Sequence, residues 1–396
     1  MILRNCRLIP ELTEGYTGQY ADLVIEGKEI KGIYPIGEYQ TGNDTEMDIQ
    51  NRTVLPGFFD LHAHLMFCDQ DYNASMLRPQ NKYLIDSIKH AKSYLRQGYT
   101  TVRDCGCDFY GSVAVRDAVA EGIVQGCRVI TSGKILSPTT KGNSSFGTLY
   151  KEIDCADDML EAARIEMAQG VDFIKYMVTG AVLNEGGVPG AMVTTPEEIA
   201  ALTKAAASLG TYVAAHCHGT EGIYEAIKNG VHTVEHATYI DKRCIDLILE
   251  MGNQTAIVPT LAIAYTLQNE LFAGGVAPEF VAKAKDVYQH MVSGAKMAME
   301  AGVSVGWGSD LDMEFMEKYP GLEFMARKDF GVGNVTLLKQ ATIDSAKIAG
   351  IDKLCGTVKA GKYADLAVFD GNPDEDLDVL QKLPVFVFKE GKQFID

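Results

Sequence analysis

The sequence predicts an α/β protein: a (β/α)8 TIM barrel over residues 56–354 and a small β-sandwich built from residues 1–55 and 355–396. Two observations predict the barrel. Short β-rich runs alternate with helical stretches eight times. The residues best suited to chemistry also fall at the ends of those runs. A third observation predicts the sandwich: the two chain ends share a strand-like texture, and neither has enough apolar residues for a core of its own.

In chain order, residues 21–26 and 29–33 read as strands separated by glycine turns. The apolar run at 55–64 opens the barrel and is followed by a helical stretch at 83–96. Strands then read at 100–104, 128–131 and 171–178, with helices at 112–121 and 157–168. Thr195-Pro196-Glu197-Glu198 starts the next helix as a capping box with proline in the first turn. Strands five to seven cover 211–218, 233–237 and 255–260. The eighth covers 303–310, and a helix at 335–349 follows it. The tail returns to strand texture at 365–370 and 384–391. An open, doubly wound sheet is the structural alternative. It is disfavoured because no Gly-x-Gly-x-x-Gly follows the first strand.

Composition narrows the function. The chain has 396 residues, 46% hydrophobic and 22% charged, the profile of a soluble globular protein. Its net charge is -17, from 36 basic and 53 acidic residues. That balance argues against nucleic acid or an anionic membrane as a partner, since both need a basic face. No run of apolar residues is long enough for a membrane span, and the start lacks the pattern of a signal peptide. Nine cysteines without a framework of spacings read as reduced thiols in the cytoplasm. Cys105-Gly106-Cys107 is the only tight pair, and it is weak evidence for metal without a second pair.

The histidines carry the chemistry. Alternation along a strand places His62 and His64 on one face and Ala63 on the other, so two imidazoles sit side by side, which suits a divalent metal; two histidines with ordinary hydrogen bonds at a loop mouth are the alternative for this pair alone. A barrel keeps its active site at the C-terminal ends of its strands. His62, His64, Lys175, His216, His218, His236 and Asp310 all fall there. Of the remaining histidines, His90 and His290 lie in helical stretches and His232 starts a strand; all three read as core or surface residues. His232-Thr233-Val234-Glu235-His236 matches the inverted zinc-protease motif, which needs a helix. Here the residues are β-branched and follow Asn229-Gly230, so a strand is expected, with Glu235 and His236 facing opposite ways. Cys217, between two histidines, is expected to turn away from them and pack.

Pro56-Gly57-Phe58-Phe59-Asp60-Leu61-His62-Ala63-His64, with Lys175, His216, His236 and Gly308-Ser309-Asp310, resembles the amidohydrolase superfamily over nearly the whole chain. Phe173-Ile174-Lys175-Tyr176-Met177-Val178-Thr179-Gly180, His216-Cys217-His218-Gly219 and Val234-Glu235-His236-Ala237 resemble its imidazolonepropionase-related branch. That branch holds Xaa-Pro dipeptidases, carboxypeptidases acting on basic residues, and ochratoxin-type amidases. The resemblance implies two divalent metals, zinc by preference, bridged by a carboxylated Lys175 and a hydroxide. It implies His62 and His64 on the more buried metal, His216 and His236 on the other, and Asp310 completing the first site. Charge supports this: two dications need anionic ligands, which neutral imidazoles do not supply and a carbamate does. Asp310 would then orient the hydroxide and carry its proton to the leaving nitrogen. His218, one step further out, would face the oxyanion.

The implied reaction is hydrolysis of an amide C–N bond beside a carboxylate, in a dipeptide or an N-acyl amino acid. A cyclic-amide hydrolase of the imidazolonepropionase or hydantoinase type is the alternative. A catalytically silent scaffold is disfavoured, because every expected ligand position is filled. Lys141, Tyr176 and Arg103 are candidates for holding a substrate carboxylate. Specificity is expected from the loops 134–153, 179–194 and 311–331, with Gly186-Gly187-Val188-Pro189-Gly190 lying over the site. Relatives in the branch often carry Gly-Gly-His after strand three, where this chain has Thr140-Lys141-Gly142-Asn143 and no histidine. A small-molecule substrate and a homo-oligomeric state complete the expectation.

Overall fold

The computed structural model describes the chain except residues 41, 43, 69–74, 182–189, 269–277 and 396. Five short strands come first: β1 (Ile2–Arg7), β2 (Tyr20–Glu26), β3 (Glu29–Tyr34), β4 (Glu46–Asp48) and β5 (Thr53–Pro56). Gly57 then turns the chain inward. A Cβ there would lie 2.1 Å from the Thr100 hydroxyl, so only glycine lets the next strand start this close.

That strand, β6 (Phe58–Ala63), pairs in parallel with β7 (Tyr99–Asp104), which pairs in parallel with β8 (Arg128–Thr131). A second parallel sheet contains β9 (Ile135–Ser137), β10 (Tyr150–Glu152), β11 (Ile174–Met177), β12 (Val213–Cys217), β13 (Thr233–His236) and β14 (Ala256–Val258). Its order is β10-β9-β11-β12-β13-β14. Backbone bonds join the two sheets on both flanks. The Asp172 amide donates to the Thr131 carbonyl, linking β8 to the start of β11. Residues 303–310 lie between β14 and β6: the Gly306 amide donates to Ile257, and the Leu61 amide donates to Trp307. The hydrogen bonds therefore run in a circuit through eight segments. The eighth is not a regular strand as expected. Gly306 and Gly308 pack too close for a ladder of side chains, and Asp310 ends the segment in the left-handed region, at φ 55°.

Helices follow the strands in alternation: α1 (Gln80–Arg96), α2 (Gly111–Ala120), α3 (Met159–Ala168), α4 (Pro196–Ser208), α5 (Thr220–Lys228) and α6 (Lys242–Glu250). Each buries one stripe; α6, for example, buries Cys244, Ile245 and Ile248. The capping box on α4 is formed, with Thr195 and Glu198 exchanging side-chain-to-backbone bonds. After β14 come α7 (Leu261–Gln268), which the sequence pattern did not suggest, and α8 (Pro278–Glu300), the helical stretch expected around His290, packed on each other. Beyond residue 310 lie α9 (Met313–Lys318), α10 (Leu322–Arg327), α11 (Asn334–Lys339) and α12 (Ser345–Ile348). The single helix expected at 335–349 is interrupted by a π turn at Gln340–Asp344.

The tail adds β15 (Leu366–Phe369), β16 (Phe386–Lys389) and β17 (Lys392–Gln393). Both chain ends meet, in the order β17-β16-β15-β5-β1-β2-β3 with β4 on β1. They pair as one continuous sheet, where a two-layer sandwich was expected. That sheet has its own apolar cluster, including Leu3, Leu23, Val54, Leu366 and Phe388. Arg128 on β8 reaches Asp365 at 2.8 Å and ties the sheet to the parallel circuit. Among the described residues no helix is long and apolar enough to cross a membrane.

Candidate metal centre

The C-terminal ends of β6, β11, β12 and β13 converge with residue 310 on one pocket. His62, His64, Lys175, His216, His218, His236 and Asp310 all line it. Strand alternation supplies part of this. On β6 it turns His62 and His64 inward, and Gly308 lets the eighth segment pass against them: a Cβ on Gly308 would lie 2.9 Å from that of His62. On β11 it turns Lys175 inward and Tyr176 outward. On β12 His216 faces in, with His218 just past the strand end, while Cys217 is fully buried in the core behind it.

Alternation fails at β13, and the failure is informative. Glu235 and His236 were expected on opposite faces, yet both side chains reach His62. The Glu235 carboxylate accepts from His62 Nδ1 at 2.8 Å, and the His236 ring packs 4.7 Å from the His62 ring. His236 and Ala237 sit in the left-handed region, at φ 67° and 51°. That kink swings His236 back over the site. Left-handed backbone at non-glycine residues costs of the order of 1–3 kcal/mol each, and here it falls at His236 and Asp310, both at the pocket.

Four of the imidazoles are oriented through Nδ1. His62 Nδ1 meets Glu235, His64 Nδ1 meets the Gly106 carbonyl at 2.9 Å, His218 Nδ1 meets the Thr238 hydroxyl at 2.7 Å, and His236 Nδ1 meets the Thr260 hydroxyl at 2.7 Å. Their Nε2 atoms are thereby aimed elsewhere. His62 Nε2 lies 3.4 Å from Lys175 Nζ and 3.7 Å from Asp310 Oδ1; His64 Nε2 lies 3.6 Å from the same oxygen. His236 Nε2 faces His216 Nδ1 at 2.9 Å. His216 Nε2 is buried with no hydrogen-bond partner.

Burial holds His62, His216 and His236 well below the usual imidazole range, and lowers His64 to about 4. These rings are neutral at pH 7, the form that ligates. Burial pushes the Asp310 carboxyl up to about 7, with Lys175 opposing. Lys175 is buried, and among the described residues no carboxylate lies within ion-pair distance of it. Neutral ring nitrogens pointing inward, one of them orphaned, together with a carboxylate, fit a divalent cation. Among the described residues three triads draw within 4.8 Å: His216, His218 and His236; His62, His236 and Asp310; and His62, Cys105 and Glu235.

The three residues expected to hold a substrate carboxylate do not line the pocket. Arg103 is fully buried beneath the floor, 2.7 Å from Glu235 Oε1 and bonded to Leu61 and Thr233. Tyr176, on the outward face of its strand, is buried, and its hydroxyl meets Thr194. Lys141 is exposed on the loop after β9. Of the other histidines, His90 is buried on Tyr94, His232 donates from Nε2 to the Ile348 carbonyl, and His290 is exposed. Most of Gly186-Gly187-Val188-Pro189-Gly190 lies outside the described residues.

Glu235, Thr238 and Thr260 were not anticipated as site residues. Nor was the buried Arg327, which donates to Glu323 and to the Pro259 carbonyl beside Thr260. The apolar walls were also missed. Ile135, Phe146, Met177, Ile263, Leu267 and Met291 line the pocket as well.

Neutral imidazoles, one lysine and one carboxylate at the ends of parallel strands are the equipment of a metal-using hydrolase. The chain belongs to the amidohydrolase family, which its residues 53–394 match. It is 26% identical to ochratoxinase of Aspergillus niger over 378 residues, covering 86% of this chain and 75% of that one. A solved prolidase complexed with N-methylphosphonate-L-proline superimposes with a TM-score of 0.88 at 29% identity, covering 99% of this chain and 98% of that one. A solved Xaa-Pro dipeptidase with bound methionine in its active site gives 0.88 at 28% identity, covering 99% of each.

Proposed function

We propose that this chain cleaves the amide C–N bond of a dipeptide or an N-acyl amino acid at a two-metal centre. The eight-segment circuit is read as a (β/α)8 barrel over residues 56–354, with residues 1–55 and 355–396 as the second domain. The observation that carries the proposal is Lys175: a buried lysine with no carboxylate partner among the described residues, set where the ring nitrogens converge. An unpaired ammonium there is costly. Carboxylation by CO₂ removes the cation and supplies the anion that four imidazoles lack. His62 and His64 would hold one metal with Asp310, His216 and His236 the other, and Lys175 both. When bound, the metals, zinc by preference, supply Lewis acidity and lower the pKa of nearby water.

The chain's own residues do the rest. Asp310 holds the attacking water, takes its proton and returns it to the leaving nitrogen. Its left-handed backbone fixes the carboxylate toward His62 and His64. His218, held by Thr238, points its other nitrogen at the pocket and steadies the oxyanion. Glu235, braced by Arg103, holds His62. A small-molecule substrate, a homo-oligomer and the reducing cytoplasm complete the reading, the last in keeping with nine unpaired cysteines.

The test is a panel of dipeptides, N-acyl amino acids and cyclic amides, with zinc and bicarbonate present and product amine measured. Amine release from the acyclic amides is expected; ring opening alone would transfer the assignment to cyclic amides. Asp310→Asn should retain metal and lose turnover by roughly 10²–10⁴, the range for general acid–base loss. Normal turnover with normal metal would remove Asp310 from the mechanism.

A further inference from the structure

We infer that the substrate carries an apolar group on each side of its scissile amide, and that basic side chains are rejected on both sides. This rests on the amide-hydrolase reading above and narrows its substrate class.

The metal-centre residues occupy the floor of the pocket, and two walls rise from it. One wall comes from strands three and four of the circuit and the loop between them: Ile135, Phe146 and Met177. The other comes from the α7–α8 pair inserted after strand seven: Ile263, Leu267 and Met291. In a circuit of eight, strands three and seven are opposite each other, so the walls face one another across the floor. On α7, Ile263 and Leu267 are four residues apart, on one helical face, and both are only half-buried. The opposing trio is almost wholly buried and belongs to an apolar cluster that also takes in Phe67. An amide whose carbonyl rests on the floor must send its acyl part toward one wall and its amine part toward the other.

Charge sharpens the choice. Among the described lining residues Lys175, carboxylated in the reading above, is the only lysine or arginine, and Asp310 and Asp312 are the only acids. Asp310 is turned to the imidazoles. Asp312 caps α9 through the Phe315 amide. Neither wall offers a carboxylate to a lysine or arginine side chain, so such a group would be buried against hydrocarbon without a partner. The two wall methionines are unbranched and adaptable, which suits apolar groups of varied shape. Each methylene added on either side should raise kcat/KM by about fourfold until the wall is filled.

The experiment uses the full chain with zinc and bicarbonate. One series lengthens the acyl group on leucine from acetyl to hexanoyl. A second holds the hexanoyl group and varies the amino acid: alanine, valine, leucine, phenylalanine, lysine and arginine. We expect kcat/KM to climb along the first series, and leucine to exceed lysine by at least about 100-fold in the second. Leu267→Asp and Met177→Asp should each abolish the apolar preference on one side only, and there alone admit lysine. Leu267→Ala and Met177→Ala, which leave no buried charge, should flatten the dependence on the same sides and cover the case in which the aspartates fail to fold. A flat first series, or lysine equal to leucine, overturns the inference and leaves amide hydrolysis standing. No hydrolysis of any amide in either series sinks the functional reading and takes the inference with it.

Discussion

His62 and His64 rest on acceptors that cannot donate, a carboxylate and a backbone carbonyl. His218 and His236 rest on threonine hydroxyls, which can do either. The difference sets how each half of the site is prepared. Glu235 and the Gly106 carbonyl force the proton onto Nδ1, so the strand-one rings present a bare Nε2 lone pair in advance. Thr238 and Thr260 hold orientation and leave the tautomer free. The first half is rigid and electron-rich, because an anion behind an imidazole raises its basicity. Arg103 deepens the asymmetry, since it spends a fully buried cation on fixing Glu235.

Removing Lys175 should erase the comparison, because that side chain lies between the halves. Lys175→Ala should bring metal content below one per chain and cut turnover at least about 10²-fold, with several kcal/mol of charge stabilisation gone. A short carboxylic acid should restore part of both. Metal analysis checks it; normal metal in the variant would show that the two halves stand alone.

Glu235→Gln breaks the rigid half. Glutamine can donate as well as accept, and Arg103 loses its ion pair. We expect metal affinity to fall roughly 10–100-fold, and stability to fall by about 3–5 kcal/mol from the uncompensated buried charge. Metal dissociation constants and urea midpoints measure the two losses separately. Unchanged affinity would mean that the carboxylate behind His62 has no bearing on ligation.

Thr260→Val tests the adaptable half. Valine keeps the shape and removes the hydroxyl, so a smaller loss of affinity, under about tenfold, is expected beside the 10–100-fold of Glu235→Gln. A larger loss in Thr260→Val than in Glu235→Gln would reverse the comparison.

His90 is a control outside the site, since its Nδ1 also meets a carbonyl, that of Leu65. Burial lowers it to about 3. The unfolded chain therefore takes up a proton below its ordinary pKa of about 6.5 that the folded chain refuses until about 3. Stability rises with pH across that window and is lost as pH falls through it. His90→Leu should flatten the difference in urea midpoint between pH 7 and pH 4.5; an unchanged slope would assign the acid sensitivity to other groups.

Much of this was legible in the sequence where the signal was local. Alternating strand and helix patterns placed β7, β8 and β12 to within a residue or two, and the capping box at Thr195 marked the start of α4. The polar residues expected at strand ends do meet in one pocket. What was not legible depends on residues far apart or on backbone geometry. Arg103 looked like a substrate anchor, because nothing nearby in sequence reveals a partner 132 residues away. Glu235 was set aside with a discarded protease motif, since no sequence feature announces a left-handed residue at His236. The α7 wall carries apolar residues on several faces, so its pattern did not separate a helix lining a pocket from ordinary core.

The pairing of β5 with β15 has a consequence in time. Thr53 lies opposite Phe369 and Pro56 opposite Leu366. At about 5–20 residues per second of synthesis, roughly 15–60 s separate the emergence of these partners. Through that interval β5 offers an unpaired edge to whatever strand is near, while the parallel circuit between it and β15 is still being made. Long-range pairing of this kind slows folding and exposes it to misassembly. The stretch most at risk on the ribosome therefore holds none of the residues that line the pocket, and a chaperone that shields residues 1–56 would guard the yield of active protein without touching a single residue of the site.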